Sequence, residues 1–247
     1  MPSTVPEILA YLKSKGNPGN VAGMARYGII AKHVYGAPTP VMTALARSIG
    51  RDHKLATGLW KTRVFDARVL AIFVEEPERI TERQMERWVR DFDNWAICDG
   101  VCLHLFDRTP FAYRKAIAWS ARKEEFVRRA GFVMMAVLAS HDKEAADEKF
   151  HRFLKIVKKK ATDERNYVKK GVNWALRGIG KRNLALNQVA IRTAKEITRL
   201  DSSAARWIAR DALRELQSVA VQERLRKKAA LKNRGMRQIN KDARLSV

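Results

Sequence analysis

An aromatic residue stands three positions before a cation at four places in this chain: Phe65-x-x-Arg68, Phe126-x-x-Arg129, Tyr167-x-x-Lys170 and Trp207-x-x-Arg210. The last three are separated by 41 and 40 residues. Small and aliphatic residues follow, as in Arg129-Ala-Gly-Phe-Val133 and Lys170-Gly-Val-Asn-Trp174. Recurrence at this distance suits a unit of two helices. Neither helix of such a pair buries its apolar side alone, so successive pairs must stack. The first gap, 61 residues, is wide enough to hold an irregular unit. The plain alternative is that the pattern marks only helix surface beside core, which chance supplies in a chain rich in Lys and Arg.

The rest of the sequence agrees with helices. No stretch sustains two-residue alternation and no Asn-Gly hairpin occurs. Helical spacing predicts elements over 4–15, 21–32, 41–49, 55–60 and 64–73, then a central pair. Further helices are expected near 111–119, 124–138, 144–158, 163–178, 184–198 and 202–220. Gly16-Asn-Pro-Gly19 should end the first, and Thr39 with Pro40 should open the helix after the Tyr35-Gly-Ala-Pro-Thr39 turn. The expected fold is all-α: a curved solenoid of antiparallel HEAT-like helical pairs, an α-α superhelix. Aligned repeats in such a solenoid put Arg68, Arg129, Lys170 and Arg210 along one concave track.

Charge then narrows the partner. The net charge is +23, from 49 Lys+Arg against 26 Asp+Glu. Residues 222–247 hold nine Lys/Arg and two Asp/Glu, so +16 stays with residues 1–221. We read 1–221 as the folded body and 222–247 as a basic tail, a frayed helix or arm for phosphates. A body this positive implies a polyanionic partner, with nucleic acid the first candidate. Anionic membrane is the competitor, but no helix offers a continuous apolar face to lipid. No apolar run reaches the ~18 residues of a membrane span, and the N-terminus lacks a signal-peptide pattern. A cytoplasmic, nucleoid-associated monomer is expected. Cys98 and Cys102, four apart on one helix, bridge nothing and should be reduced; no metal site or cofactor is implied. His141 reads as a helix-end cap.

The central stretch Trp88–Cys102 carries the most chemistry. Thr81 and Gln84 form a capping-box pattern that opens one helix through about Phe92. Asp93-Asn94 breaks it and caps a second, which carries Trp95 and Asp99 four residues apart, hence on one face. An unpaired acid beside an indole, in so basic a chain, is a place to meet a bound cation. The bland reading is a core tryptophan and a salt-bridged aspartate.

Trp95-x-x-x-Asp99 resembles the signature of the AlkD-like DNA alkylation repair family, HEAT-like-repeat glycosylases that excise cationic alkylated purines. Phe126-Val-Arg-Arg-Ala130 is similar to the family segment whose arginine touches DNA, matching at Arg129 with Arg128 as neighbour. Tyr167-Val-Lys-Lys-Gly-Val-Asn-Trp174 places Trp174 on the family's second functional tryptophan. The similarity runs from Met24-Ala-Arg-Tyr27 and the Gly36-Ala-Pro-Thr-Pro40 turn to at least Trp174-Ala-Leu-Arg177. Departures are Asn94, where some members carry tryptophan, and Phe126, which replaces a common tryptophan.

The resemblance implies a DNA glycosylase acting on N7- or N3-alkylated purines in duplex DNA. A purine with a fixed positive charge is already a good leaving group, so no strong acid is needed. Positive charge grows on the deoxyribose as the N-glycosidic bond stretches. Asp99 would stabilise that charge and orient water; Trp95 and Trp174 would offer π faces to the lesion or sugar. Arg129 would hold a phosphate, with Arg128, Lys170, Arg68 and Arg210 along the backbone. The lesion would lie against an open surface rather than in a deep pocket. The alternatives are a non-catalytic HEAT-like binder of damaged or branched DNA, and a protein-binding scaffold.

Overall fold

The computed structural model describes residues 2–231, and no strand occurs among them. The helices are α1 (Val5–Ser14), α2 (Pro18–Arg26), α3 (Thr39–Ile49), α4 (His53–Lys61), α5 (Phe65–Val74), α6 (Glu82–Arg90) and α7 (Trp95–His104). They continue with α8 (Ala112–Ser120), α9 (Glu125–His141), α10 (Asp147–Lys160), α11 (Asn166–Gly180), α12 (Leu184–Ile197) and α13 (Ser203–Leu216). Residues 219–231 form a last helix, α14. None of the described helices is long and apolar enough to cross a membrane. The chain divides into two compact units, residues 1–134 and 135–247.

Side-chain caps set many of the helix starts. Asn17, Asp52, Thr81, Asn94, Asn183 and Ser202 each accept a backbone N–H from the first turn that follows them. Thr81 makes only half the expected box, because the Gln84 amide donates instead to Glu75 Oε2 at 2.7 Å. The full reciprocal box stands at Thr4 and Glu7. Asn17 also corrects the sequence reading near the N-terminus. Pro18 and Gly19 open α2 instead of closing α1, and α2 stops at Arg26. Tyr27 and Ile30, inside the helix expected over 21–32, lie beyond its end and are each 77% exposed.

In the first unit α5 is the axis. Eight of its ten residues, Phe65 through Val74, are buried, as an apolar helix surrounded by others requires. It packs on α3, α4 and α7. Asp66, 1% exposed, accepts the backbone N–H of Tyr35 at 2.7 Å and of Ala37 at 2.8 Å. That pins the turn around Gly36, whose φ is +76°. A Cβ there would also lie 2.5 Å from the Asn17 carbonyl oxygen, so glycine is required twice over.

The second unit shows the repeat plainly. Pairs α10–α11 and α12–α13 stack like on like, α10 against α12 and α11 against α13. A ladder of side chains fixes the α11–α13 register. The Lys169 Nζ sits 5.4 Å from the Trp207 ring centroid. Asn173 donates to Asp211 at 2.7 Å, Arg177 pairs with Asp211 and Glu215, and Lys181 pairs with Glu215 at 2.5 Å. The rungs climb by four residues on both helices, so the two run in the same direction. In α14, Val221 and Leu225 are buried. Residues 222–231 of the expected tail therefore continue a packed helix, and 232–247 lie outside the described residues.

The aromatic-x-x-cation recurrence is thus real in part. Phe126 and Tyr167 are each the second residue of their helix, α9 and α11. Trp207 is the fifth of α13, where the second is Ala204, fully buried. The 40-residue spacing at Trp207 is a coincidence of sequence, displaced by most of a helical turn.

Asp66→Asn puts an amide donor against backbone N–H groups in a buried position. Hydrogen bonds to charged groups are worth about 1.5–3 kcal/mol, so a loss of about 2 kcal/mol or more is expected for the 1–134 unit. Urea unfolding monitored by tryptophan fluorescence measures it.

Candidate functional site

Asn94, 1% exposed, accepts the Ile97 N–H at 3.0 Å and so starts α7 with Trp95 in its first turn and Asp99 one turn on. The face of α7 beneath them is apolar. Cys98 and Cys102 are both fully buried and both free. The Cys98 thiol donates to the Phe126 carbonyl at 3.5 Å, and Cys102 to that of Ala130 at 3.8 Å. These two contacts lay α7 along α9 in one register. The register brings Asp99 opposite Arg129.

Arg129 grips Asp99 with both prongs: Nε donates to Oδ1 at 2.8 Å and Nη2 to Oδ2 at 2.7 Å. The carboxylate is 15% exposed and the guanidinium 7%. Burial pushes the Asp99 carboxyl above the usual aspartate range, and the Arg129 hydrogen bonds and charge pull against that rise. The acid expected to stand unpaired is therefore paired, and its partner is the arginine expected on a phosphate. Both expectations missed the pairing for one reason: 30 residues of sequence separate the two, and helix spacing cannot report contacts between helices.

Trp95 is half-buried and points its indole N–H at the backbone of another segment, donating to the Tyr27 carbonyl at 2.9 Å. The exposed Tyr27 thus belongs to this neighbourhood, a role the sequence reading did not assign. Its signal was a tyrosine just before Gly28, whose φ of +74° marks the chain leaving α2.

The other candidates divide sharply. Arg68, expected to face DNA, is 4% exposed. It lies 4.9 Å over the Trp60 ring, donates to the Asp91 carbonyl at 3.1 Å and pairs with the Asp91 carboxylate at 3.5 Å. Trp60 itself stacks on Trp88 at 3.9 Å, so Arg68 holds an aromatic core together. Arg128 donates through Nε to the Arg122 carbonyl at 2.6 Å, closing the turn after α8. Lys170 and Arg210 are exposed.

Trp174, half-buried on α11, lines a cleft of about 370 Å3 in the second unit. Lys143, Lys181, Arg182, Arg224 and Lys228 share that cleft. Arg182 is mainly structural: its guanidinium donates to the carbonyls of Ala139, Asp142, Lys143 and Ala145. Lys228 in turn donates to the Arg182 carbonyl at 2.7 Å. Arg224 and Lys228 belong to the stretch expected as a basic arm, and composition does not show that they flank Trp174. The signal was the four-residue spacing of Val221 and Leu225, an apolar face with a basic one beside it.

The stacked pairs define a helical-repeat protein, and comparison with known proteins places it more closely. A solved protein described as belonging to "a new family of proteins related to the HEAT-like repeat DNA glycosylases with affinity for branched DNA structures" superposes with a TM-score of 0.72. It is 20% identical, and the match covers 86% of this chain and 95% of that one. At that identity it establishes the HEAT-like fold. The family profile described as "DNA alkylation repair enzyme" matches residues 8–216, and the chain belongs to that family. No curated protein matches.

Gly131 tests how tightly the site is seated. A Cβ there would fall 2.4 Å from the Ser120 amide nitrogen and 2.8 Å from its Cα, both backbone atoms of α8. Helix propensity favours alanine by about 1 kcal/mol. Overpacking against backbone costs typically 1–3 kcal/mol or more and should win. Gly131→Ala is expected to lower the melting temperature and, by shifting α9, to weaken the Asp99–Arg129 pair. Scanning calorimetry together with a crystal structure of the variant checks both.

Proposed function

We propose that this protein is a DNA glycosylase that hydrolyses the N-glycosidic bond of cationic N7- or N3-alkylated purines in duplex DNA. What carries the reading is the Asp99 carboxylate, fixed in orientation by both prongs of Arg129 and still within reach of solvent, one helical turn from the indole of Trp95. The lesion's own charge supplies the leaving group. Asp99 then stabilises the oxocarbenium-like sugar and directs water to it, an electrostatic contribution made by a group already in place. The Arg129 hydrogen bonds and charge oppose the protonation that burial favours. Trp95 provides a π face for a cationic base, worth roughly 0.5–2 kcal/mol. The net charge of +23 supplies salt-sensitive attraction to the duplex.

A second reading has its own observation. Because Arg129 neutralises Asp99 in the free protein, the site also suits a non-catalytic binder. The solved relative's described affinity for branched DNA agrees with that role. Methylated duplex DNA separates the two. Wild-type protein is expected to release 7-methylguanine, and Asp99→Asn to lower the rate by ~10²-fold or more. Binding without release by wild type favours the second reading. The pH profile is a further check: Asp99 must be ionised, and its carboxyl titrates above the usual aspartate range. Activity should therefore be lost on acidification earlier than an ordinary aspartate would dictate.

A further inference from the structure

Trp207 has no place in the core that the helical repeat builds. It is 40% exposed, while the corresponding second position of α13 is the buried Ala204. Lys169 lies over its ring. Arg206, Arg210 and Arg214 occupy the exposed side of α13 at four-residue spacing, roughly 6 Å apart along the helix. The neighbouring acids are engaged. Asp201 pairs with Arg206 at 3.4 Å, and Asp211 takes Asn173, Arg177 and Arg214. Glu164 accepts the hydroxyls of Ser202 and Ser203 and the Ala204 N–H at the start of α13.

We propose that Trp207 and the arginine row of α13 form a binding surface for the unpaired nucleotides of a single-stranded DNA arm. A surface indole flanked by a line of cations is the pairing that single strands use: phosphates follow the cations while a base stacks on the ring. Duplex DNA cannot use the indole in this way, because its bases keep their faces stacked on one another. The Lys169 contact shows that this ring face accepts a positive group; a base displaces Lys169, whose ammonium then meets the phosphate. The surface lies wholly on α11 and α13 and is separate from Asp99 in sequence and role. The inference rests on the DNA-binding part of the proposed function and is independent of excision.

Fluorescence anisotropy at fixed salt tests it with two probes, a blunt duplex and the same duplex carrying a single-stranded arm. Wild type is expected to bind the armed probe more tightly. Trp207→Ala should lose that increment, ~5- to 100-fold for one stacked base, with blunt-duplex affinity unchanged. Trp207→Phe, which keeps a π face, should retain most of it. Equal affinity of wild type for the two probes overturns the proposal, as does an equal loss on both probes in Trp207→Ala. Failure of wild type to bind either probe overturns the DNA-binding reading along with it. Absence of 7-methylguanine release, with arm preference intact and lost in Trp207→Ala, removes excision and leaves this surface standing.

Discussion

The fork between Arg129 and Asp99 is the contact on which the first unit's chemistry depends. A carboxylate placed at a helix–helix seam without a partner protonates or destabilises its surroundings by several kcal/mol. With Arg129 opposite, Asp99 has a charged partner against that cost and is held in one orientation. The seam is prepared by two thiol-to-carbonyl contacts from α7 to α9 and by a glycine that lets α8 and α9 touch backbone to backbone. In the proposed reaction one side chain thereby answers a structural need and a chemical one. Any substitution at Arg129 removes this fork first.

Local chemistry was legible in the sequence and long-range pairing was not. Asn94 announced α7 correctly because a cap is an interaction between a side chain and a backbone three residues away. The stacked helical pairs were legible through Phe126 and Tyr167, which fall at equivalent places in α9 and α11. Trp207 fell into the same spacing by accident, and only the buried Ala204 exposes the mismatch. Arg68 followed an aromatic just as Lys170 did, yet one lies under Trp60 and the other faces water. No count of intervening residues distinguishes them, since the difference lies in what the neighbouring helix presents. At the far end, a basic composition hid the apolar spacing of Val221 and Leu225 and with it the cations beside Trp174.

The surplus of Lys and Arg consequently serves two purposes. Arg68, Arg128, Arg129 and Arg182 spend their donors on carbonyls and carboxylates within the fold, where the planar guanidinium satisfies several acceptors at once. Lys170 and Arg210 face outward, as do Arg206 and Arg214 beside their surface partners Asp201 and Asp211. A large positive charge overstates the number of groups ready for a phosphate.

The two sulfhydryls have a consequence for a member of an alkylation repair family. Reagents that methylate purines also attack thiolates, which are the most nucleophilic side chains a protein offers. Both cysteines here are sealed between α7 and α9, and burial drives the Cys98 thiol far above its ordinary range, so almost none of it ionises. The chain holds no other cysteine. Alkylation of either thiol therefore requires the α7–α9 seam to open first.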